Sequence, residues 1–457
     1  MGSSDGSKYD DTSVDSIVEY AKLLIGKSLA QATDKQEEFL DAKGKGGLGT
    51  LVSKAFFDLE VDNKPLPDFE RAGLELKVTP MKRLKTKGKH LVAKERLVLS
   101  MIDYQQVIHE TWETSRLIQK CKLLLVLTYL HATKQALSDV VFLEKQIILN
   151  LLDPNSVDSA QFKRDWETIQ AKVSAQKAHE LSGSDTMYLE ALNKGQGKGR
   201  DKLRAQGDSP NGAKPRAFAI KPSYLTVLLN GTINKNVLLV DPNTTIEEAT
   251  SARFEPYLGQ TIDTLQHKFA QESSPKKNKN FHRNLALTIL SKGGSSVPEL
   301  QKADIELKVV RRKKSGALRE AMSFPNFTYV SSGEKLGIVD QEWEDSEFFQ
   351  KLDKKFLFVV FRDGVDGKEY LDSVGYWTMP FEDKLEAKSV WEETKRRVIN
   401  ENFNFPKSTE NYVAHVRNKG PNSLATYPTP GGGQAKRYCF WLNKSYVIQA
   451  LNQFDTK

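Results

Sequence analysis

The 457-residue chain reads as a mixed α/β protein built from two tandem copies of one domain, each a central mixed sheet flanked by helices. Three observations predict this class. Apolar residues recur at helical spacing in some stretches and alternate with charged residues in others. The length exceeds what a single core of ordinary size fills. A series of short segments in the first half also returns, in the same order, in the second half. With 39% hydrophobic and 28% charged residues the composition is globular rather than disordered or fibrous.

Taken in order, residues 13–31 place Val14, Ile17, Val18, Ala21, Leu24 and Ile25 on one helical face. AGLELKV (72–78) follows a Pro-Asp turn and alternates Leu74, Leu76 and Val78 with Glu75 and Lys77, as a strand with one buried face does. KCKLLLVLTYL (120–130) is an apolar run suited to a buried strand, and residues 195–215, rich in Gly and Lys without periodicity, read as a mobile loop. The repeat then restarts. YAKLLIGKSL (20–29) is answered by FEPYLGQTID (254–263), AGLELKV by ADIELKV (303–309), and TWETS (111–115) by EWEDS (342–346). KLLLVLTY at 122 is answered by KFLFVVFR at 355, His179 with Gly183 by His415 with Gly420, and AFAIKPSYLTVLL (217–229) by CFWLNKSYVIQAL (439–451). The interval from Glu75 to Trp112 equals that from Glu306 to Trp343. Turn and cap residues in VDPNTTIEEATS (240–251) mark the boundary, giving domains over 1–238 and 239–457.

Composition also excludes several classes of function. No apolar run approaches the roughly 18 residues of a membrane span, and the start MGSSDGSKYDD is unlike a signal peptide, so a cytoplasmic protein with no membrane partner is expected. Two cysteines, Cys121 and Cys439, supply neither a disulfide framework nor a four-ligand zinc site. A net charge of +8 suits a polyanionic partner. Basic clusters occur at 81–90, 192–204 and 309–316, without the interleaved aromatics of a single-strand platform.

The chemistry concentrates in PDFERAGLELKVTP (67–80). Residues two apart on a strand project to the same side, so Glu75 and Lys77 sit together, and Asp68 reaches the same point if the chain turns over Glu70 to Gly73. Two convergent carboxylates make a hard-oxygen site suited to magnesium, and a neighbouring lysine can orient a water or stabilise developing negative charge. This is the logic of PD-(D/E)XK nucleases. A lone Glu-x-Lys triplet is more often a salt-bridged, solvated strand face.

At these residues the sequence resembles a known family. The first half resembles the MutH mismatch-repair endonucleases, and the two-copy chain resembles the GATC-cutting type II restriction endonucleases of the Sau kind. The resemblance rests on KGGLG (45–49), PDFERAGLELKVTP, KERLVLSMIDY (94–104), TWETS, AHELS (178–182) and RAFAIKPSYLTVLL, and extends to the second half through WEDS and FWLNKSY. It implies two restriction-endonuclease-like domains and Mg2+-dependent hydrolysis of double-stranded DNA at 5′-GATC, with the chains associating on DNA. Asp68 and Glu75 would be metal ligands, Lys77 would stand at the nucleophilic water, and Lys120 is carried over as a further active-site lysine. Lys194, after MYLEAL, and Lys221, in the RAFAIKPSYL segment, would contact DNA, and in that context residues 195–215 would order on binding.

Two departures qualify the implication. Where the family has a glutamate on the KGxxG helix this chain has Ser53, so Glu37, Glu38 or Glu60 would have to serve, or two carboxylates suffice, or the site does not cut. The second copy keeps Glu306 and Lys308 but has Glu299 in place of Asp68, which implies a degenerate site in a DNA-binding, regulatory domain. Competing readings are a non-cleaving DNA-binding protein and a nicking repair enzyme.

Overall fold

A computed structural model describes residues 8–35, 47–60, 64–84, 90–131, 135–194, 202–231, 238, 241–269, 280–294, 296–333, 335–420 and 425–454. It divides into two compact units, Met1–Thr245 with Pro298–Asp304, and Ile246–Val297 with Ile305–Lys457. The division is therefore not a single cut in the chain.

The first unit opens with helices α1 (Val14–Ala21), α2 (Leu29–Ala32) and α3 (Gly47–Leu51), followed by strands β1 (Leu74–Arg83), β2 (Leu91–Ala93) and β3 (Leu97–Met101). Helix α4 (Arg116–Cys121), strands β4 (Leu123–Leu130) and β5 (Ile147–Asn150), and helix α5 (Val157–Ser174) come next, and β6 (Leu189–Asn193), β7 (Arg216–Ile220) and α6 (Pro222–Asn230) complete it. One sheet has the order β2-β1-β4-β5 and the other β3-β7-β6. The helix expected over 13–31 is interrupted at Gly26, whose φ of 72° is left-handed and whose N–H donates to Phe142 O at 3.0 Å.

The second unit carries α7 (Ile246–Phe254), α8 (Ile262–Lys268) and α9 (Phe281–Leu290). A short helix α10 (Pro298–Lys302) follows, and then β8 (Glu306–Arg312), β9 (Met322–Asn326), α11 (Glu347–Leu352), β10 (Phe356–Asp363), β11 (Glu369–Trp377) and α12 (Phe381–Ile399). The chain ends with β12 (Ala414–Asn418), β13 (Thr426–Pro428), β14 (Gln434–Lys436), β15 (Tyr438–Leu442) and α13 (Lys444–Asn452). Its sheets are β11-β10-β8 and β12-β15-β9, with β13-β14 a separate ribbon. Helix α10 belongs to the first unit. Lys302 Nζ donates to both carboxylate oxygens of Asp158, at 2.8 and 2.6 Å, and Ser223 Oγ donates to Lys302 O at 2.8 Å.

The two units share several local features. The β1–β4 pair is parallel, as is β8–β10. In TWETS, Ser115 caps α4 by accepting Ile118 N–H at 3.2 Å while its hydroxyl donates to Trp112 O at 2.8 Å. In EWEDS, Ser346 accepts Phe349 N–H at 3.1 Å and donates to Trp343 O at 2.6 Å. Trp112 packs on Trp166 of α5 with centroids 6.1 Å apart, and Trp343 on Trp391 of α12 at 5.8 Å. One expected match is corrected. His179 lies on a 3-10 turn and His415 on β12, so they do not correspond. The equivalent segments are the ends of β6 and β12, where Lys194 N–H donates to Pro215 O at 2.8 Å and Lys419 N–H to Arg437 O at 2.9 Å.

Candidate active site

Strand β1 is central to its sheet, and its alternation decides what faces what. Leu74 and Leu76 join a buried core with Ile17, Leu24, Leu48, Leu51, Val52 and Phe56 from the N-terminal helices. Glu75 and Lys77 project from the opposite side. Ahead of the strand the chain reverses over Glu70–Gly73. Phe69 and Leu74 exchange backbone hydrogen bonds at 2.9 and 3.2 Å, and Gly73 takes a φ of 65°. A side chain at Gly73 would meet no neighbour, so the demand there is conformational, about 1 kcal/mol for an ordinary residue.

That reversal delivers Asp68. Its N–H donates to Glu75 Oε2 at 3.1 Å, and its Oδ2 accepts Leu76 N–H at 2.9 Å. Lys77 Nζ donates to Glu75 Oε1 at 2.7 Å, and Lys120, in the last turn of α4, stands 3.7 Å from the same oxygen. Lys120 Nζ also donates to Lys64 O at 3.3 Å. The four residues predicted as catalytic are thus one connected group around a carboxylate only 1% exposed.

Burial pushes the Glu75 carboxyl above its ordinary value, and the Asp68 charge adds to the rise against the pull of Lys77 and Lys120. Burial alone would lower Lys77, but Glu75 outweighs it and holds the lysine protonated. The nearby Cys121 thiol is pushed up to about 12 by burial and is no nucleophile.

Two carboxylates with no thiol or imidazole fit a hard divalent cation, since Mg2+ binds through one or two carboxylates and retains waters. No group of three His, Cys, Asp or Glu side chains able to hold a metal occurs among the described residues, so the rest of the shell would come from water and phosphate. Ser53 sits in a π-helical turn, Val52–Phe56, that continues α3. Its hydroxyl donates to Gly49 O at 3.1 Å, within its own helix. Glu60 is exposed, and Glu37 and Glu38 lie outside the described residues.

Other expected residues are placed differently. Lys221, expected to contact DNA, is 7% exposed; its ammonium donates to Gly183 O at 2.8 Å and Thr186 O at 2.7 Å. It ties a loop to α6 and is not a DNA-facing cation. Asn443 does the same at the start of α13, donating to Asn411 O at 2.6 Å. Lys194 immediately follows β6, and the segment after it, 195–201, lies outside the described residues. Residues 202–215, expected to be a mobile loop, are pinned. Arg204 and Ala213 exchange backbone hydrogen bonds, and the buried Gln206 bonds Ala178 N–H, Asn211 O and His179 Nδ1. In the second unit, Glu306 and Lys308 occupy the β8 positions of Glu75 and Lys77. Glu299, expected to answer Asp68, lies on α10 in the first unit and accepts Leu238 N–H at 3.0 Å. Arg311 is paired with Glu369 and Arg312 with Asn452, which leaves Lys313 and Lys314 as the exposed cations of that basic run.

Two residues of the second site escaped the sequence reading. Lys351 donates to Glu306 Oε2 at 3.2 Å, and it stands eight residues after Trp343, as Lys120 does after Trp112. Lys419 lines a pocket with Glu306, Lys308 and Lys351, and it follows an Asn as Lys194 does, a signal available in the repeated Asn-Lys pair.

Comparison with known proteins agrees with this geometry. Residues 57–165 match the family described as DNA mismatch repair enzyme MutH. The chain is 31% identical over 402 residues to the type II restriction enzyme Sau3AI of Staphylococcus aureus, covering 83% of this chain and 78% of that one. It is 27% identical over 225 residues to the DNA mismatch repair protein MutH of Shewanella woodyi, covering 48% of this chain and 91% of the relative. No helix among the described residues is long and apolar enough to cross a membrane. The Asp68–Glu75–Lys77 group falls inside the MutH-like segment, and the similarity to Sau3AI runs on through the second unit: the chain belongs to the Sau3AI family of type II restriction endonucleases, built on the MutH-like nuclease fold.

Proposed function

We propose that the protein cuts double-stranded DNA at 5′-GATC in a Mg2+-dependent reaction carried by the first unit, while the second unit binds a second duplex. The observation that carries this reading is the connected group in which Asp68 and Lys77 hydrogen-bond Glu75 and Lys120 ion-pairs with it. Asp68 and Glu75 would hold the cation, which when bound neutralises phosphate charge and makes its water more acidic. Lys77, held protonated beside Glu75, cannot take up a proton; it orients the attacking water and stabilises charge developing on the phosphate. Lys120 supports the same charge from the end of α4. Lys194 is positioned by the β6–β7 pairing and suits donation to guanine O6 and N7. With one such group among the described residues, two chains associating on DNA, or two successive nicks, would make the double-strand break.

A second reading, a DNA-binding protein that does not cut, is favoured by Ser53, whose hydroxyl is bonded within its own helix. Incubating the protein with plasmid, with and without Mg2+, and mapping the ends separates the readings. Linear products ending at GATC support restriction, single nicks support a repair-type activity, and binding without cleavage at any Mg2+ concentration sinks the proposed reaction.

A further inference from the structure

The second unit encloses a pocket of about 250 Å3 lined by Glu306, Lys308, Ser323, Phe324, Lys351 and Lys419 among others. Its polar content inverts that of the first unit. There, two carboxylates face two lysines, so the group is balanced and accepts a phosphate only with an added cation. Here one carboxylate faces three lysines, and Glu306 is already joined to Lys351 at 3.2 Å. Lys419 Nζ is steadied by Ser323 Oγ at 2.9 Å and Phe324 O at 3.0 Å. Lys308 has no hydrogen-bond or ion-pair partner among the described residues, although it is half-buried on the strand.

Three ammonium groups gathered in one partly buried pocket repel one another unless an anion sits between them. A phosphate supplies oxygens enough for charge-assisted bonds to all three. We propose that this pocket seats a phosphate of a duplex DNA backbone directly on Lys308, Lys351 and Lys419, with ammonium groups standing where the first unit relies on a metal. The proposal rests on reading the second unit as DNA-binding, and it adds that this binding is independent of Mg2+. A DNA backbone fits better than a lone anion because positive charge continues beyond the pocket. Exposed Arg417, on the strand that Lys419 follows, lies over the Trp441 ring at 5.5 Å, with Lys419 Nζ 5.8 Å from that ring. The apolar walls formed by Met322, Phe324 and Pro325 suit a deoxyribose beside the phosphate.

The test uses the full chain in EDTA, titrated to stoichiometry with a GATC duplex over a range of salt. The wild type is expected to bind, and Lys308→Met combined with Lys351→Met is expected to weaken that binding about tenfold and make the log–log salt slope shallower by about 1 to 2. Lys308→Arg, which keeps the charge, should retain the wild-type slope, and thermal melting identifies a double variant that has merely unfolded. If the folded double variant binds with unchanged affinity and slope, the pocket assignment is overturned while DNA binding by the second unit stands. If the wild type takes up no second duplex in EDTA or in Mg2+, the DNA-binding reading itself fails. If inorganic phosphate raises the melting temperature of the wild type but not of the double variant, and duplex binding is equal in both, the pocket takes free anions and the DNA assignment is overturned.

Discussion

Strands β1 and β8 present the same Glu-x-Lys pair beside the same kind of parallel neighbour, yet their lysines live in opposite surroundings. Lys77 is held protonated because Glu75 outweighs its burial. Lys308 is pushed below the ordinary lysine value, first by burial and then by Lys351 and Lys419 despite Glu306. The difference comes from what meets the strand. In the first unit a tight reversal brings Asp68 onto Glu75; in the second, Lys419 lines the pocket beside Glu306 and Lys308. A strand pair therefore fixes where charges are held, while neighbouring segments decide which charges meet them.

The largest expected effect tests which copy cuts. Lys77→Ala should slow cleavage at saturating DNA by about 10²- to 10⁴-fold while leaving salt-sensitive GATC binding in place. Wild-type cleavage by that variant would move the active site away from β1. Next, the paired tryptophans ask whether the copies stand alone. Trp112→Ala and Trp343→Ala should each cost about 3–5 kcal/mol, since both rings are nearly fully buried, and each should lower a different calorimetric transition. One shared transition lowered equally by both would show a single cooperative unit.

A smaller effect concerns Ser53. If its helix faces the metal, Ser53→Glu should lower the Mg2+ needed for half-maximal cleavage by about tenfold. The buried carboxylate should also reduce thermal stability without metal and restore it with metal. An unchanged Mg2+ dependence would mean that Ser53 does not face the site. The mildest test is titration. Glu75 must be ionised to serve as a ligand, and its raised value moves that ionisation to higher pH. Cleavage should therefore fall, as pH is lowered, before an ordinary carboxylate would begin to protonate. The folded protein also retains this proton over a range where the unfolded chain has released it, so the contribution of Glu75 to stability falls as pH rises through that range. At alkaline pH, Lys308 should lose its proton and react with a small acylating reagent before Lys77 does, with site mapping by mass spectrometry as the readout.

Much of the first site was legible because it is local. Strand alternation puts Glu75 and Lys77 on one side, and the turn over Glu70–Gly73 is written in a glycine and a Pro-Asp pair. TWETS announces a helix cap, and the spacing to Lys120 follows from it. The rest depends on partners remote in sequence. Lys221 looks like a surface cation until the carbonyls of Gly183 and Thr186 close on it. Glu299 has the right spacing to Glu306, but spacing does not reveal that α10 packs against Asp158 and Ser223 in the first unit. Lys351 and Lys419 carry a signal in the repeat, through their spacing from Trp343 and from Asn418, but their convergence on Glu306 depends on the fold. Gln206 carries no signal of its own, since only the folded loop brings it to His179 and Ala178.

The reversal ahead of β1 sets what a second Asp68-like site would have to reproduce. Asp68 reaches Glu75 because Phe69 and Leu74 close a backbone bridge around Gly73. The corresponding stretch before β8 is instead a helical turn engaged in the other unit. Converting Glu299 to aspartate would restore a letter without restoring its location. An Asp68-like arrangement at β8 would call for transplanting the whole Pro-Asp-to-Gly segment and releasing α10 from its contacts, which is several simultaneous changes rather than one substitution.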